Sequence, residues 1–185
     1  MEGLIDLNGG SLHWVEPKAF EHGYELRDDQ GALYGSMSFR TALGSLAVAE
    51  MALGAWSFKR VGFLNPRVTV RVKGQEVDAA LFHPKFAGGG RLEFADGTSF
   101  QWRSTNFWQS RWAFFDGRES PLVEFTPGPS AGMLSDLFKT QATVTCHEGG
   151  VAAEILSMLV ALGFYLILLH KQDMETAVVV TAASS

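Results

Sequence analysis

The chain has 185 residues, of which 46% are hydrophobic, 12% aromatic and 19% charged. That length fits one domain with a substantial core, and the low charged share means that much of the chain is covered. A net charge of −5 and a pI near 5.5 exclude a general nucleic-acid-binding surface, which needs a basic domain, so no nucleic-acid partner is expected.

Cys146 is the sole cysteine, so no disulfide forms within the chain and a reducing, cytoplasmic setting is expected. The first ten residues, MEGLIDLNGG, lack the basic and apolar regions of a signal peptide.

Up to residue 146 the sequence reads as short strands separated by turns. His13 to Glu16 is a first strand, ended by Pro17. Tyr24 to Arg27 and Leu33 to Phe39 flank the turn residues Asp28-Asp29-Gln30-Gly31, as in a hairpin. Leu46 to Ala52 and Trp56 to Val61 flank Leu53-Gly54-Ala55, and Asn65-Pro66 marks a turn before Arg67 to Lys73. In that last strand Val68, Val70 and Val72 fall on one face and Arg67, Thr69, Arg71 and Lys73 on the other. Alternation of this kind predicts a half-buried antiparallel strand.

Val77 to Phe82 follows as a strand, then a Pro84 break and the Gly88-Gly89-Gly90 loop. Two Asp-Gly turns, Asp96-Gly97 and Asp116-Gly117, predict further hairpins. The first joins Arg91 to Ala95 with Thr98 to Arg103, and the second joins Arg111 to Phe115 with Pro121 to Phe125. Thr126 to Gly132 resembles a linker, Leu137 to Cys146 reads as a strand, and Ala177 to Ala182 (AVVVTA) reads as a closing strand.

Between the last two lies Val151 to Leu169. These nineteen residues are apolar nearly all round, hold Glu154 as their one ionisable group and contain no proline. A helix of this kind has to be surrounded, by lipid or by its own protein. Ten to twelve short strands need something for their inward faces to pack on, and a closed barrel threaded by the helix satisfies both parts. The chain is therefore read as one mainly β domain over 1–185. It is an antiparallel closed β-barrel of about twelve strands enclosing a hydrophobic central helix within 148–171. A membrane anchor formed by helix 151–169 is the alternative.

The functional signal is a charge asymmetry. Between Glu50 and Glu76 there is no acid, yet Lys59, Arg60, Arg67, Arg71 and Lys73 stand there, so this segment is +5 and the remainder −10. On alternating strands Lys59 and the Arg67/Arg71/Lys73 row share one outer surface, which suits anionic lipid headgroups or phosphates. The same charges also serve simply as solvated faces that prevent edge aggregation.

Other motifs point nowhere specific. His13, His22, His83, His147 and His170 lack metal-ligand spacing, and the Asp-containing turns lack the alternating oxygens of an EF-hand. Gly88-Gly89-Gly90 is not followed by the Lys-Ser/Thr of a phosphate-binding loop. Adjacent Cys146 and His147 point to opposite faces of a strand and make no joint site. No catalytic constellation, cofactor site or metal site is expected. Glu154 is the one acid whose burial would signal a pocket.

WSFKRVGFLNPRVTVR (Trp56 to Arg71), GGRLEFADGTSFQW (Gly89 to Trp102), WAFFDGRESPLVEF (Trp112 to Phe125) and the late apolar helix together resemble the Tubby C-terminal-like superfamily. That group takes in the Tubby domain, phospholipid scramblases and the plant LURP-one-related proteins. The resemblance spans roughly Gly23 to His170 and rests on layout and turn positions. It implies a twelve-stranded barrel around a hydrophobic helix and no shared enzymatic activity. Tubby proteins bind phosphoinositide headgroups, so an anionic membrane lipid is the implied partner, or another protein if the fold serves as an interaction module. The scramblase acidic calcium segment and cysteine-rich region have no counterpart here, so the resemblance does not carry scramblase activity.

The expectation is thus a non-enzymatic, cytoplasmic barrel at the membrane periphery, needing no cofactor. A ligand carrier or enzyme with its site at the barrel mouth is the competing reading.

Overall fold

The computed structural model describes residues 11–17, 23–41, 44–85, 88–128, 138–147 and 149–183. The alternation of apolar and polar residues produces twelve strands: β1 (Leu12–Pro17), β2 (Gly23–Asp28), β3 (Leu33–Phe39), β4 (Ala47–Met51), β5 (Gly54–Val61), β6 (Arg67–Val72), β7 (Ala80–Pro84), β8 (Gly90–Phe94), β9 (Ser99–Ser104), β10 (Trp112–Phe115), β11 (Pro121–Pro127) and β12 (Phe138–Cys146). Each strand pairs with its neighbours in sequence, and β1 closes on β12, giving a closed antiparallel barrel. Closure leaves no strand edge open to another chain.

Register places the apolar positions together. Val68 and Val70 of β6 face Phe82 and Ala80 of β7, and Leu92 of β8 faces Phe100 of β9. All six of these side chains are buried. Leu92, Phe100 and Trp102 are buried in the barrel core as the hairpin pattern implies, with Phe94 partly buried beside them. The Asp96-Gly97 turn forms with Gly97 at φ 87°, and the Phe94 amide donates to the Thr98 carbonyl at 2.9 Å.

A single helix, α1 (Ala153–Ala183), follows β12 and runs through the barrel. Leu159, Val160, Ala161, Leu162, Phe164 and Tyr165 are fully buried among the strands. Trp14 of β1 stacks on Phe164 with ring centroids 4.6 Å apart and planes 3° from parallel. The Tyr165 hydroxyl, also inside, donates to the Ser45 carbonyl at 2.5 Å. The run that has the length of a membrane span is the core of this protein.

Three expectations need correcting. The helix begins at Ala153 and continues well past Leu169, and the closing strand expected at Ala177 to Ala182 belongs to its last turns. Valine favours strands because it packs well on a pleated surface. Here β1 and β12 already pair with each other, so no edge remains for a thirteenth strand. A helix satisfies its own backbone, and Thr176 donates its hydroxyl to the Gln172 carbonyl at 2.9 Å. The strand expected at Val77 to Phe82 starts instead at Ala80, because a turn occupies the preceding residues: Gly74 sits at φ 84° and the Gln75 amide donates to the Val72 carbonyl. The linker expected at Thr126 to Gly132 is part strand, since β11 includes Thr126 and Pro127; 129–132 lie outside the described residues, as do Leu137 and Glu148.

The barrel has two distinct ends. Turns after even-numbered strands, and the start of α1, lie at the lower end. Turns after odd-numbered strands lie at the upper end, where α1 emerges. Contacts from Tyr165 to Ser45, Asp173 to Arg60 and His170 to Trp112 fix this direction.

Gly163 tests the enclosure. A Cβ there would fall on the ring of Phe125 from β11. In an isolated or lipid-facing helix, Gly163→Ala would stabilise by up to about 1 kcal/mol through helix propensity. In this barrel it should destabilise, by about 1–3 kcal/mol from overpacking, read as a lower urea midpoint with unchanged slope. A neutral or stabilising outcome would contradict the enclosed helix.

Tyr165 supplies a second test. Burial pushes its hydroxyl up to about 12 from the ordinary 10. Folding therefore favours the protonated phenol, and the resulting stability is present below pH 10 and lost as pH rises towards 12. Tyr165→Phe should unfold more easily at pH 7, by about 1 kcal/mol for the lost hydrogen bond, yet lose less stability than the parent between pH 10 and 12 in urea titrations.

Candidate functional site

The basic residues singled out in the sequence sit on β5, β6 and the turn after β6. Arg67 pairs with Val61, Arg60 with Val68, Lys59 with Thr69 and Ser57 with Arg71. Trp56 and Phe58 point inward and are buried, so Ser57 and Lys59 point outward. The same rule turns Arg67, Arg71 and Lys73 outward, opposite to buried Val68 and Val70.

Lys59, Arg71 and Lys73 meet on the outer wall in a groove of about 490 Å³ running across β3 to β6. Arg40, at the upper end of β3, joins them, with Ser38, Ser57 and Thr69 supplying hydroxyls. No carboxylate lines the groove among the described residues. Thr69 is buried and donates to the Lys59 carbonyl at 3.3 Å, tying β6 to β5 at the groove floor.

Two of the four cations have partners just outside. Arg71 Nε donates to Asp78 at 2.6 Å, and Lys73 is ion-paired with Glu50. Both pairs are partly exposed, which limits each to about 1 kcal/mol or less. They lie towards the lower end of the groove. Lys59 and Arg40, towards the upper end, are exposed and have no ion pair among the described residues.

Arg60 departs from the sequence reading. It shares the inward parity of Trp56 and Phe58, so it leaves the basic outer face and turns to the barrel mouth. There it binds Asp173 of α1 through three hydrogen bonds of 2.7–2.9 Å. That hydrogen bonding holds the guanidinium charged, raising its pKa above the usual value. Arg60 is a pin between barrel and helix rather than a free cation. Arg67 is exposed on the outer side but belongs to the rim of the mouth, away from Arg71 and Lys73.

The mouth itself is a cavity of about 920 Å³ around the emerging helix. Phe82, Trp102, Trp112 and α1 residues Leu166 to Leu169 line it, with Arg67, Lys85 and Lys171 among its charged residues. Asp173 is its sole carboxylate among the described residues, and Arg60 already engages it. This lining offers no free acid–base pair. Glu154, the other suspect acid, is exposed in the first turn of α1 at the opposite end, where the helix dipole favours it. Burial pushes the Cys146 thiol up to about 11, which keeps it protonated and unreactive at neutral pH. No group of three or more His, Cys, Asp or Glu side chains could hold a metal ion among the described residues.

Sequence reasoning missed Arg40, Asp173 and the counter-charges. Arg40 is nineteen positions from Lys59, and only the Ser38–Val48–Ser57 register across β3, β4 and β5 brings it to the groove. Glu50 marks the edge of the acid-free run in sequence, yet it folds back onto Lys73. No protein-family model, characterised protein or solved structure matches the chain.

The Arg60–Asp173 pin makes a local prediction. Asp173→Asn should accelerate amide exchange in the turns of α1 after His170 while global stability falls by about 1 kcal/mol or less. Unchanged exchange in those turns would show that the pair does not hold the end of the helix.

Proposed function

We propose that this chain is a non-enzymatic barrel of the Tubby C-terminal-like kind that engages anionic lipid headgroups at a membrane surface. The observation that carries this reading is the outer groove, where Arg40, Lys59, Arg71 and Lys73 converge with hydroxyl donors and without a lining carboxylate. A headgroup phosphate presents several acceptor oxygens. Cations and hydroxyls grouped on a rigid sheet wall satisfy them at little ordering cost.

The free cations set the approach. Among the described residues Lys59 and Arg40 have no ion pair to break, so a phosphate binds first at the upper half of the groove. Arg71 and Lys73 then exchange their carboxylate partners for the ligand or remain as a positive background. Each basic residue near an acidic membrane surface contributes on the order of 1 kcal/mol, so four give a weak, salt-sensitive association. The overall charge of −5 opposes nonspecific adsorption elsewhere on the molecule.

Charge reversal at Arg40 and Lys59 tests the groove. Arg40→Glu with Lys59→Glu should weaken sedimentation with phosphatidylserine-containing vesicles by about tenfold or more and flatten its salt dependence, with the melting curve unchanged. Both positions are exposed, so folding is not at issue. Parental binding by the double variant would remove the groove from the mechanism.

A further inference from the structure

The four most exposed large apolar side chains among the described residues are gathered at one end. Phe63 is 97% exposed, Leu64 94%, Phe107 89% and Trp108 82%. Phe63 and Leu64 form the tip of the β5–β6 turn, and Phe107 and Trp108 the tip of the β9–β10 turn. Both turns belong to the upper end, on either side of the mouth. Solvation of four such side chains is unfavourable, and a barrel that buries its other tryptophans, Trp14, Trp56, Trp102 and Trp112, has no packing reason to leave these out.

The tips are held in place rather than trailing. Gly62 at φ 84° turns the chain ahead of Phe63, and Gln109 at φ 52° turns it after Trp108. Asn106 clamps the second loop: its side-chain Oδ1 accepts from the Ser110 amide at 2.9 Å and the Arg111 amide at 3.2 Å. Phe107 and Trp108 pack edge to face, with centroids 5.4 Å apart. Two apolar prongs therefore project from the same end.

Charge is polarised along the same axis. Among the described residues, exposed Arg40, Arg67, Lys85, Arg111 and Lys171 lie at the upper end, where Asp173 is neutralised by Arg60. Among the described residues, the turns of the lower end carry Asp29, Glu76, Asp96, Asp116 and Glu119 against the cations Lys73 and Arg118, so acids outnumber bases there. An anionic bilayer attracts the first end and repels the second, which orients the barrel before contact.

We infer that the upper end of the barrel docks on an anionic bilayer, with Phe63, Leu64, Phe107 and Trp108 entering the interfacial zone and these cations lying at headgroup level. Tryptophan and phenylalanine favour that zone, where an apolar ring meets a polar boundary. The docking geometry rests on the reading of this chain as a membrane-surface protein and deepens it. With the upper end down, Arg40 and Lys59 open onto the headgroup layer, while the ion-paired Arg71 and Lys73 stay towards solvent. The barrel axis then stands across the membrane plane, and the acidic lower end faces the aqueous side.

Trp108 is its own reporter, because the other four tryptophans are buried. Vesicles of phosphatidylcholine with phosphatidylserine should shift its emission to the blue, and lipids brominated on the acyl chain should quench it. Trp108→Phe should abolish both signals while leaving sedimentation nearly intact. Substituting Phe63, Leu64, Phe107 and Trp108 together by alanine should weaken vesicle binding by about tenfold or more with an unchanged melting curve. Vesicle binding by this quadruple variant at parental strength, with loss confined to the Arg40/Lys59 charge reversal, would overturn the docking geometry and leave the groove reading standing. No vesicle binding by the parent would overturn both. A parent that self-associates, with the quadruple variant monomeric and neither bound to vesicles, would show instead that the prongs join two copies of the chain.

Discussion

Mutual burial of α1 and the barrel wall is the constraint on which the rest of the structure depends. An eight-stranded barrel is just wide enough for its own inward side chains to fill. Twelve strands leave a wider interior, and a helix about 10 Å across is the element that occupies it. The helix in turn is apolar all round because strands surround it on every side. Neither part is stable alone in water. The strands would enclose an unfilled apolar space, and α1 would expose Leu159, Leu162 and Phe164.

This dependence explains where precise fit is concentrated. Trp14 stacked on Phe164, Phe125 closed over Gly163 and Tyr165 bonded to Ser45 join the helix to β1, β11 and the β3–β4 turn respectively. Contacts on three sides set the rotation and depth of the helix. The Arg60–Asp173 pair adds a polar tie where the helix leaves the core. The helix fills the middle of the barrel and leaves open the groove on the outer wall and the cavity at the mouth.

The charge distribution follows the same logic of displacement. Inward positions are apolar, so charged residues occupy the outward positions and the turns. Among the described residues acids predominate in the lower turns and cations around the mouth, a polarity that packing does not require. It costs some electrostatic self-repulsion at each end, and the proposed docking on an anionic bilayer would make use of it. The basic outer wall divides along that axis: Lys59 and Arg40 have no ion pair among the described residues, and Arg71 and Lys73 are held by Asp78 and Glu50 towards the lower end.

Much of the fold was legible in the chain itself. Period-two runs such as Arg67 to Lys73, the Asp-Gly turns at 96–97 and 116–117, and the uninterrupted apolar run from Val151 are local patterns, and local patterns specify strands, hairpins and helices directly. The barrel followed because the strands and the helix each demanded the other. Tertiary structure decided what depends on distant neighbours. Closure of β1 on β12 left no edge for Ala177 to Ala182, so a β-branched stretch became the end of a helix. Parity at Arg60, combined with the position of Asp173 more than a hundred residues away, took one cation out of the predicted site, and strand register brought Arg40 into it. The two apolar prongs were in plain sight as Phe63-Leu64 and Phe107-Trp108, yet only the antiparallel order of the barrel placed them at the same end. Sequence determines the elements because each arises from neighbours a few residues apart; it leaves the site to the fold because a surface is assembled from residues that the chain keeps far apart.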